Sequence, residues 1–141
     1  MTRGVKTRCS GKWTEAKFKS FVRGNLRSAS RKWAPISEVM KEAWISRGVY
    51  ECAECKEHVP PTIFCDDKRR RVKNIFVDHI KPIVDPATGF TTWDDYIEGL
   101  FCEKDNLQLL CKTCHDEKTL LETQVAKERK QLEKEKLNEE D

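Results

Sequence analysis

Apolar residues are in short supply in this sequence: 38% of it is hydrophobic and 36% is charged. So low a share limits the core to a modest one. In 141 residues it fits one ordinary domain, or a small domain with extensions that a bound metal would help to fold. No run approaches the roughly 20 apolar residues a membrane span needs, so no membrane partner is expected. The opening MTRGVKTRCSGKW is basic and lacks an apolar stretch, which makes a secretory signal unexpected as well. No segment repeats. Histidine is scarce, with three in the chain.

Cysteine is not scarce. There are seven, an odd number, and four of them form two C-x-x-C pairs. With no secretory signal expected, the expected setting is intracellular and reducing. There, such pairs bind metal as thiolates rather than closing disulfides. In Cys52-Ala-Glu-Cys55 and Cys111-Lys-Thr-Cys114, two intervening residues let both sulfurs address one point. Two such knuckles supply four thiolates, a closed tetrahedral site suited to structural Zn²⁺. The bland alternative is two unrelated pairs of buried cysteines. Between the knuckles lie 55 residues, more than a compact zinc ribbon holds, so the excess must fold out as an insertion.

Charge is distributed unevenly along the chain. Residues 1–48 carry 12 Lys/Arg against 3 Asp/Glu, residues 49–116 carry 9 against 13, and residues 117–141 carry 6 against 8. The positive third makes a polyanion such as nucleic acid its natural partner. Apolar residues from Trp13 to Ala29 recur near helical spacing, which predicts a helix over 13–31. Thr14 suits its N-cap, and Trp13 and Phe18 suit a hydrophobic staple. The opposite face carries Lys17, Lys19, Arg23, Arg27 and Arg31, the candidate DNA-binding residues. Pro35 is expected to break the pattern, with a second helix over 36–47 and Gly48 as its C′ residue.

Residues 49–83 read as short strands with a polar turn at DDKRRR. TTWDDYIEGLF reads as a helix capped by Thr92, NLQLLC as a strand, and 114 onward as a charged helix whose apolar positions thin toward the end. Asp78 and His79 close an apolar strand just before Pro82. Neighbours on a strand face opposite ways, so the two side chains divide their work unless the strand ends there. A four-sulfur site leaves no room for His115, which must serve something else from the first turn of a helix that Cys114 pins. His58 reads as a solvated loop residue, Cys9, Cys65 and Cys102 as ordinary thiols, and Asp94 and Asp95 as helix-start charges. Lys68 to Arg71 fit phosphate contacts and a solvated turn equally well.

In order, Asp78-His79, Asn106 and His115 within two C-x-x-C knuckles resemble the HNH endonuclease family. The strings DHI-x-P, W-D-x-Y-I, N-L-Q-x-L-C-x-x-C-H and K-T resemble its phage-type members, as does the leader KWTEAKFKSFVRGNLR. The resemblance implies an α+β chain with a ββα-metal core beside the four-cysteine zinc site. It divides the chain into a basic helical extension (1–48), the nuclease core (49–119) and a C-terminal charged helix (120–141). It casts His79 as general base, Asp78 and His115 as ligands of a catalytic divalent metal, and Asn106 as a brace of the loop joining the strands. Two protein ligands leave positions open for water and phosphate, which suits Mg²⁺, and the mixed donors also accept Mn²⁺ or Ni²⁺.

The activity so implied is hydrolysis of DNA, leaving 5′-phosphate and 3′-hydroxyl ends. One active site cuts one strand, so double-strand cleavage needs a homodimer or two visits. Other implied partners are phage packaging or replication proteins, and the implied location is the cytoplasm of the host cell. Imidazole chemistry predicts that activity rises from about pH 6 to 8. The rival reading is a catalytically silent zinc-ribbon module that binds DNA or acts as an adaptor.

Overall fold

The computed structural model describes residues 4–139. Among the described residues the fold is α+β, with four helices and nine short strands in four small sheets. The chain forms two compact units, one ending at Trp33 and one beginning at Ala34.

In the first unit, β1 (Lys6–Arg8) pairs antiparallel with β2 (Trp13–Thr14), and α1 (Glu15–Ser30) follows directly. The Thr14 hydroxyl accepts the Lys17 amide at 3.1 Å, the bond expected of an N-cap. The staple expected between Trp13 and Phe18 takes another form. Trp13 is drawn into β2, and its ring meets Phe21 edge-on at 5.2 Å. Phe18 instead lies under the Arg8 guanidinium at 4.1 Å. Along α1, Lys19, Arg23, Arg27 and Arg31 follow one another at four-residue steps with Lys17 beside them. All but Arg23 are exposed.

The second unit opens with α2 (Ala34–Ala43). Pro35 does not break a helix. It stands in the first turn, where its missing N–H has no helical partner to lose. The helix also stops earlier than expected. The β-formers Trp44–Ser46 make β3, which pairs with β4 (Val49–Glu51), and Gly48 (φ +73°) belongs to the turn between those strands rather than to a helix end. Next come β5 (His58–Val59), paired with β4, and the ribbon of β6 (Thr62–Cys65) with β7 (Arg70–Lys73).

The centre of this unit is an antiparallel pair, β8 (Ile75–His79) with β9 (Leu107–Cys111). Between them in sequence runs α3 (Trp93–Leu100), capped by Thr92, whose hydroxyl accepts the Asp95 amide at 3.1 Å. After β9 the chain passes without a break into α4 (Lys112–Glu139). Alternation gives the pair two faces. One carries Ile75, Val77, Leu107 and Leu109, which pack with Val39, Ile36 and Met40 of α2. Because α2 joins this core, it belongs with the strands and not with the N-terminal helix. The other face carries Phe76, Asp78 and Gln108 and meets α4.

Candidate functional site

The two ends of the β8–β9 pair carry different chemistry. At the Ile75–Cys111 end, one sulfur each from Cys52, Cys55, Cys111 and Cys114 lies within 4.8 Å of the others. This is a set that can hold a metal such as zinc. The backbone builds it. The Ala53 amide donates to the Leu109 carbonyl at 2.8 Å, laying the first knuckle along β9. The Lys56 amide closes the knuckle on the Cys52 carbonyl at 3.0 Å, with Lys56 itself left-handed at φ +64°. The second knuckle spans the junction of β9 and α4. A zinc–sulfur bond of about 2.3 Å puts tetrahedral sulfurs about 3.8 Å apart. The Cys55 and Cys111 sulfurs are 3.9 Å apart, so the set fits that ion.

The four sulfurs do not share one acidity. Burial works to push Cys52 up, but the amides of Cys111, Cys55 and Glu54 outweigh it and bring this thiol down to about 7. The Cys111 amide donates to its sulfur at 3.3 Å. Burial, and then the neighbouring sulfurs, push Cys114 well above the usual thiol range. At Cys55 the Glu57 amide pulls down, yet burial and the sulfurs of Cys52 and Cys111 leave the thiol raised. Four close sulfurs thus resist ionising together, and a divalent cation at their centre removes that repulsion.

The other end of the pair holds Asp78, His79 and Asn106. Asn106 lies in a short 3-10 turn (Lys104–Asn106) just before β9. Its side chain grips both backbone groups of Lys81: the amide oxygen accepts the Lys81 N–H at 2.9 Å, and its NH₂ donates to the Lys81 carbonyl at 3.2 Å. The Asn106 carbonyl also accepts the Ile80 amide at 2.8 Å. These bonds fix where the chain leaves β8. His79 is the last residue of β8, and its Nε2 lies 3.1 Å from the Leu100 carbonyl, an orphan acceptor at the end of α3. A carbonyl only accepts, so in the neutral ring Nε2 carries the proton and Nδ1 keeps its lone pair.

Asp78 and His115 meet α4 and β8 on the same side of the pair. The His115 ring stacks on Phe76 with centroids 4.2 Å apart, and its Nδ1 is buried without a hydrogen-bond partner. The nearest carboxylate to it is that of Asp116, whose Oδ1 stands 3.9 Å away, too far for a hydrogen bond. One oxygen of Asp78 meets the Lys118 ammonium at 3.0 Å, and the Gln108 amide stands 3.4 Å from the same oxygen. The ammonium also donates to the His79 carbonyl at 3.0 Å and pairs with Glu122. Burial works to lower Lys118, but Glu122 and Asp78 outweigh it and hold the ammonium firmly charged. Among the described residues, the four cysteines form the one cluster of three or more ligand-type side chains, and neither Asp78 nor His115 belongs to it.

Lys118 and Glu122 went unassigned in the sequence, although Lys118 falls three residues after His115, one turn along the same helix face. The Leu100 carbonyl could not be read from sequence at all, because main-chain acceptors carry no residue signature. His58 is exposed on β5, and Cys65 and Cys102 stand outside the sulfur cluster. No described helix is long and apolar enough to cross a membrane. No protein-family model matches the chain, and no curated protein or solved structure matches it either.

Proposed function

We propose that this chain is a metal-dependent endonuclease of the HNH type acting on DNA. The observation that carries the proposal is the strand pair β8–β9 running straight into α4. It sets Asp78 and His115 on one side, has Asn106 clamp the strand exit, and leaves His79 with a free Nδ1. Zinc in the four-sulfur cluster holds the first knuckle, the end of β9 and the start of α4 in one register.

A divalent cation held by Asp78 and His115 would offset the charge that builds on the phosphate and on the leaving oxygen. The buried His115 Nδ1, which makes no hydrogen bond and has Asp116 Oδ1 3.9 Å away, and the half-buried Asp78 carboxylate are donors suited to it. His79 Nδ1 takes the proton of the attacking water, because its other nitrogen is committed to Leu100. Strand alternation turns His79 away from Asp78, so the phosphate must lie over the strand end, where both faces are within reach. Asn106 keeps that end from fraying. The basic face of α1, with Lys17, Lys19, Arg23, Arg27 and Arg31, contributes sequence-independent attraction to the DNA backbone.

A second reading has its own observation. The Lys118 ammonium already neutralises Asp78, which suits a zinc module that binds nucleic acid without cutting it. The test is supercoiled plasmid incubated with Mg²⁺ or Mn²⁺, with EDTA, and with a His79→Ala protein that retains zinc. Nicking that needs the added metal and His79 supports the nuclease. Plasmid retention without nicking in any divalent metal overturns it in favour of the module.

A further inference from the structure

The ribbon of β6 and β7 has no part in either site. Its register pairs Thr62 with Lys73, Ile63 with Val72, Phe64 with Arg71 and Cys65 with Arg70. Alternation therefore puts Thr62, Phe64, Arg71 and Lys73 on one face, and all four are exposed, Phe64 to 56%. Residues 66–69 turn the chain, with the Arg69 amide donating to the Asp66 carbonyl at 3.3 Å and Arg69 left-handed at φ +51°. Lys68, Arg69, Arg70, Arg71 and Lys73 set five cations against Asp66 and Asp67. Edge strands often carry charges that prevent pairing with other chains; here the cations also extend through the turn at the tip.

The ribbon is also held firmly at its base. Asn74 is 7% exposed, and its amide and side chain donate to the carbonyls of Pro61 and Pro60, both at 2.9 Å. Its own carbonyl accepts the Lys112 amide at 3.0 Å, the first residue of α4. One buried asparagine thus ties the ribbon to the start of β8 and to the helix that carries His115. The Arg71 guanidinium lies across the ribbon, donating to the Thr62 hydroxyl at 2.9 Å and the Thr62 carbonyl at 2.8 Å.

We infer that this ribbon is a DNA-binding arm that enters the major groove beside the cleavage site. A major groove about 12 Å wide admits a two-stranded ribbon. Four residues of strand reach about 13 Å, more than the groove's depth of about 8.5 Å. The tip cations Lys68, Arg69 and Arg70 meet phosphates of the groove walls, and Phe64 offers an apolar surface to thymine methyl groups. The inference rests on the DNA substrate proposed above and adds where the duplex is held.

The test uses zinc-loaded full-length protein, a fluorescent 20-base-pair duplex, no added magnesium or manganese, and affinity measured across a salt series. The tip variant Lys68→Gln/Arg69→Gln/Arg70→Gln weakens binding about tenfold or more and flattens the log–log salt slope by about 2 to 3, near 0.9 per lost phosphate contact. Phe64→Ala weakens binding and leaves the slope unchanged. Lys130→Gln/Lys134→Gln/Lys136→Gln makes the same charge change far along α4 and leaves both affinity and slope near wild type. A tip variant that matches wild type overturns the arm while plasmid nicking still stands. A tip effect in a protein that never nicks plasmid upholds the arm and removes the nuclease. Equal tip losses on single-stranded DNA, RNA or polyglutamate overturn the groove assignment, and a wild type that binds no duplex overturns both.

Discussion

The two ends of one strand pair solve opposite problems. At the Ile75–Cys111 end, four identical donors converge, and a cation at their centre would relieve the repulsion between their ionised forms. At the His79–Leu107 end the donors are mixed, and a side chain already supplies a cation, the Lys118 ammonium on Asp78. A closed set of thiolates is a fastening, because it has no open position to offer a substrate. On the proposed reading, a carboxylate and an imidazole from one strand and one helix, with a lysine as resident counter-ion, would make a site whose ion can be exchanged.

The largest expected effect falls on the fastening. In small zinc-dependent folds the metal contributes about 10–16 kcal/mol. Cys114→Ser, or removal of zinc by a strong chelator, should therefore unfold most of the second unit. Circular dichroism with elemental analysis would show lost zinc and lost cooperative melting together, whereas retained structure without zinc would mean that the core suffices alone. Next comes the strand end. His79→Ala should lower plasmid nicking by about 10²–10⁴-fold while zinc content and melting stay near wild type. A variant that also loses zinc would erase the separation between the two ends.

Lys118→Gln should act more mildly and in the opposite direction. With the resident ammonium gone, Asp78 is left to an added ion, and Mn²⁺ should bind between about three- and tenfold more tightly, read by electron paramagnetic resonance. Weaker Mn²⁺ binding would make Lys118 a support of the site rather than a competitor for it. The smallest effect is on pH dependence. The folded Cys52 thiol sits at about 7, below the usual thiol value of 9.0. The small folded fraction left without zinc, read by circular dichroism, should therefore be larger at pH 8 than at pH 6. What the Cys52 thiolate contributes to the metal-free fold is full above pH 9 and fades as pH falls through 7. Above pH 9, the raised Cys55 and Cys114 oppose it.

This contrast also explains what the sequence made legible. Knuckle spacing is a local property of the chain, so two cysteine pairs separated by 55 residues could be joined on paper, and they meet in space. Local capping was equally readable at Thr14 and Thr92. Elements whose fate depended on tertiary partners were not. Trp44–Ser46 continued a helical pattern but found a strand to pair with at Val49–Glu51. Trp13 bypassed its local staple partner because β1 drew it into a sheet. At the strand end, the order Asp78, His79, Asn106, His115 was visible, but the grip on Lys81, the Leu100 acceptor and the Lys118 ammonium arise from contacts between distant segments.

The division of labour between the two ends is tested most directly by anomalous scattering from crystals soaked in Mn²⁺. Two peaks are expected: zinc among the sulfurs of Cys52, Cys55, Cys111 and Cys114, and manganese between the Asp78 carboxylate and the His115 imidazole, with the Lys118 ammonium moved off Asp78. A single peak at the sulfurs, with Lys118 still seated on Asp78 at saturating Mn²⁺, would contradict it.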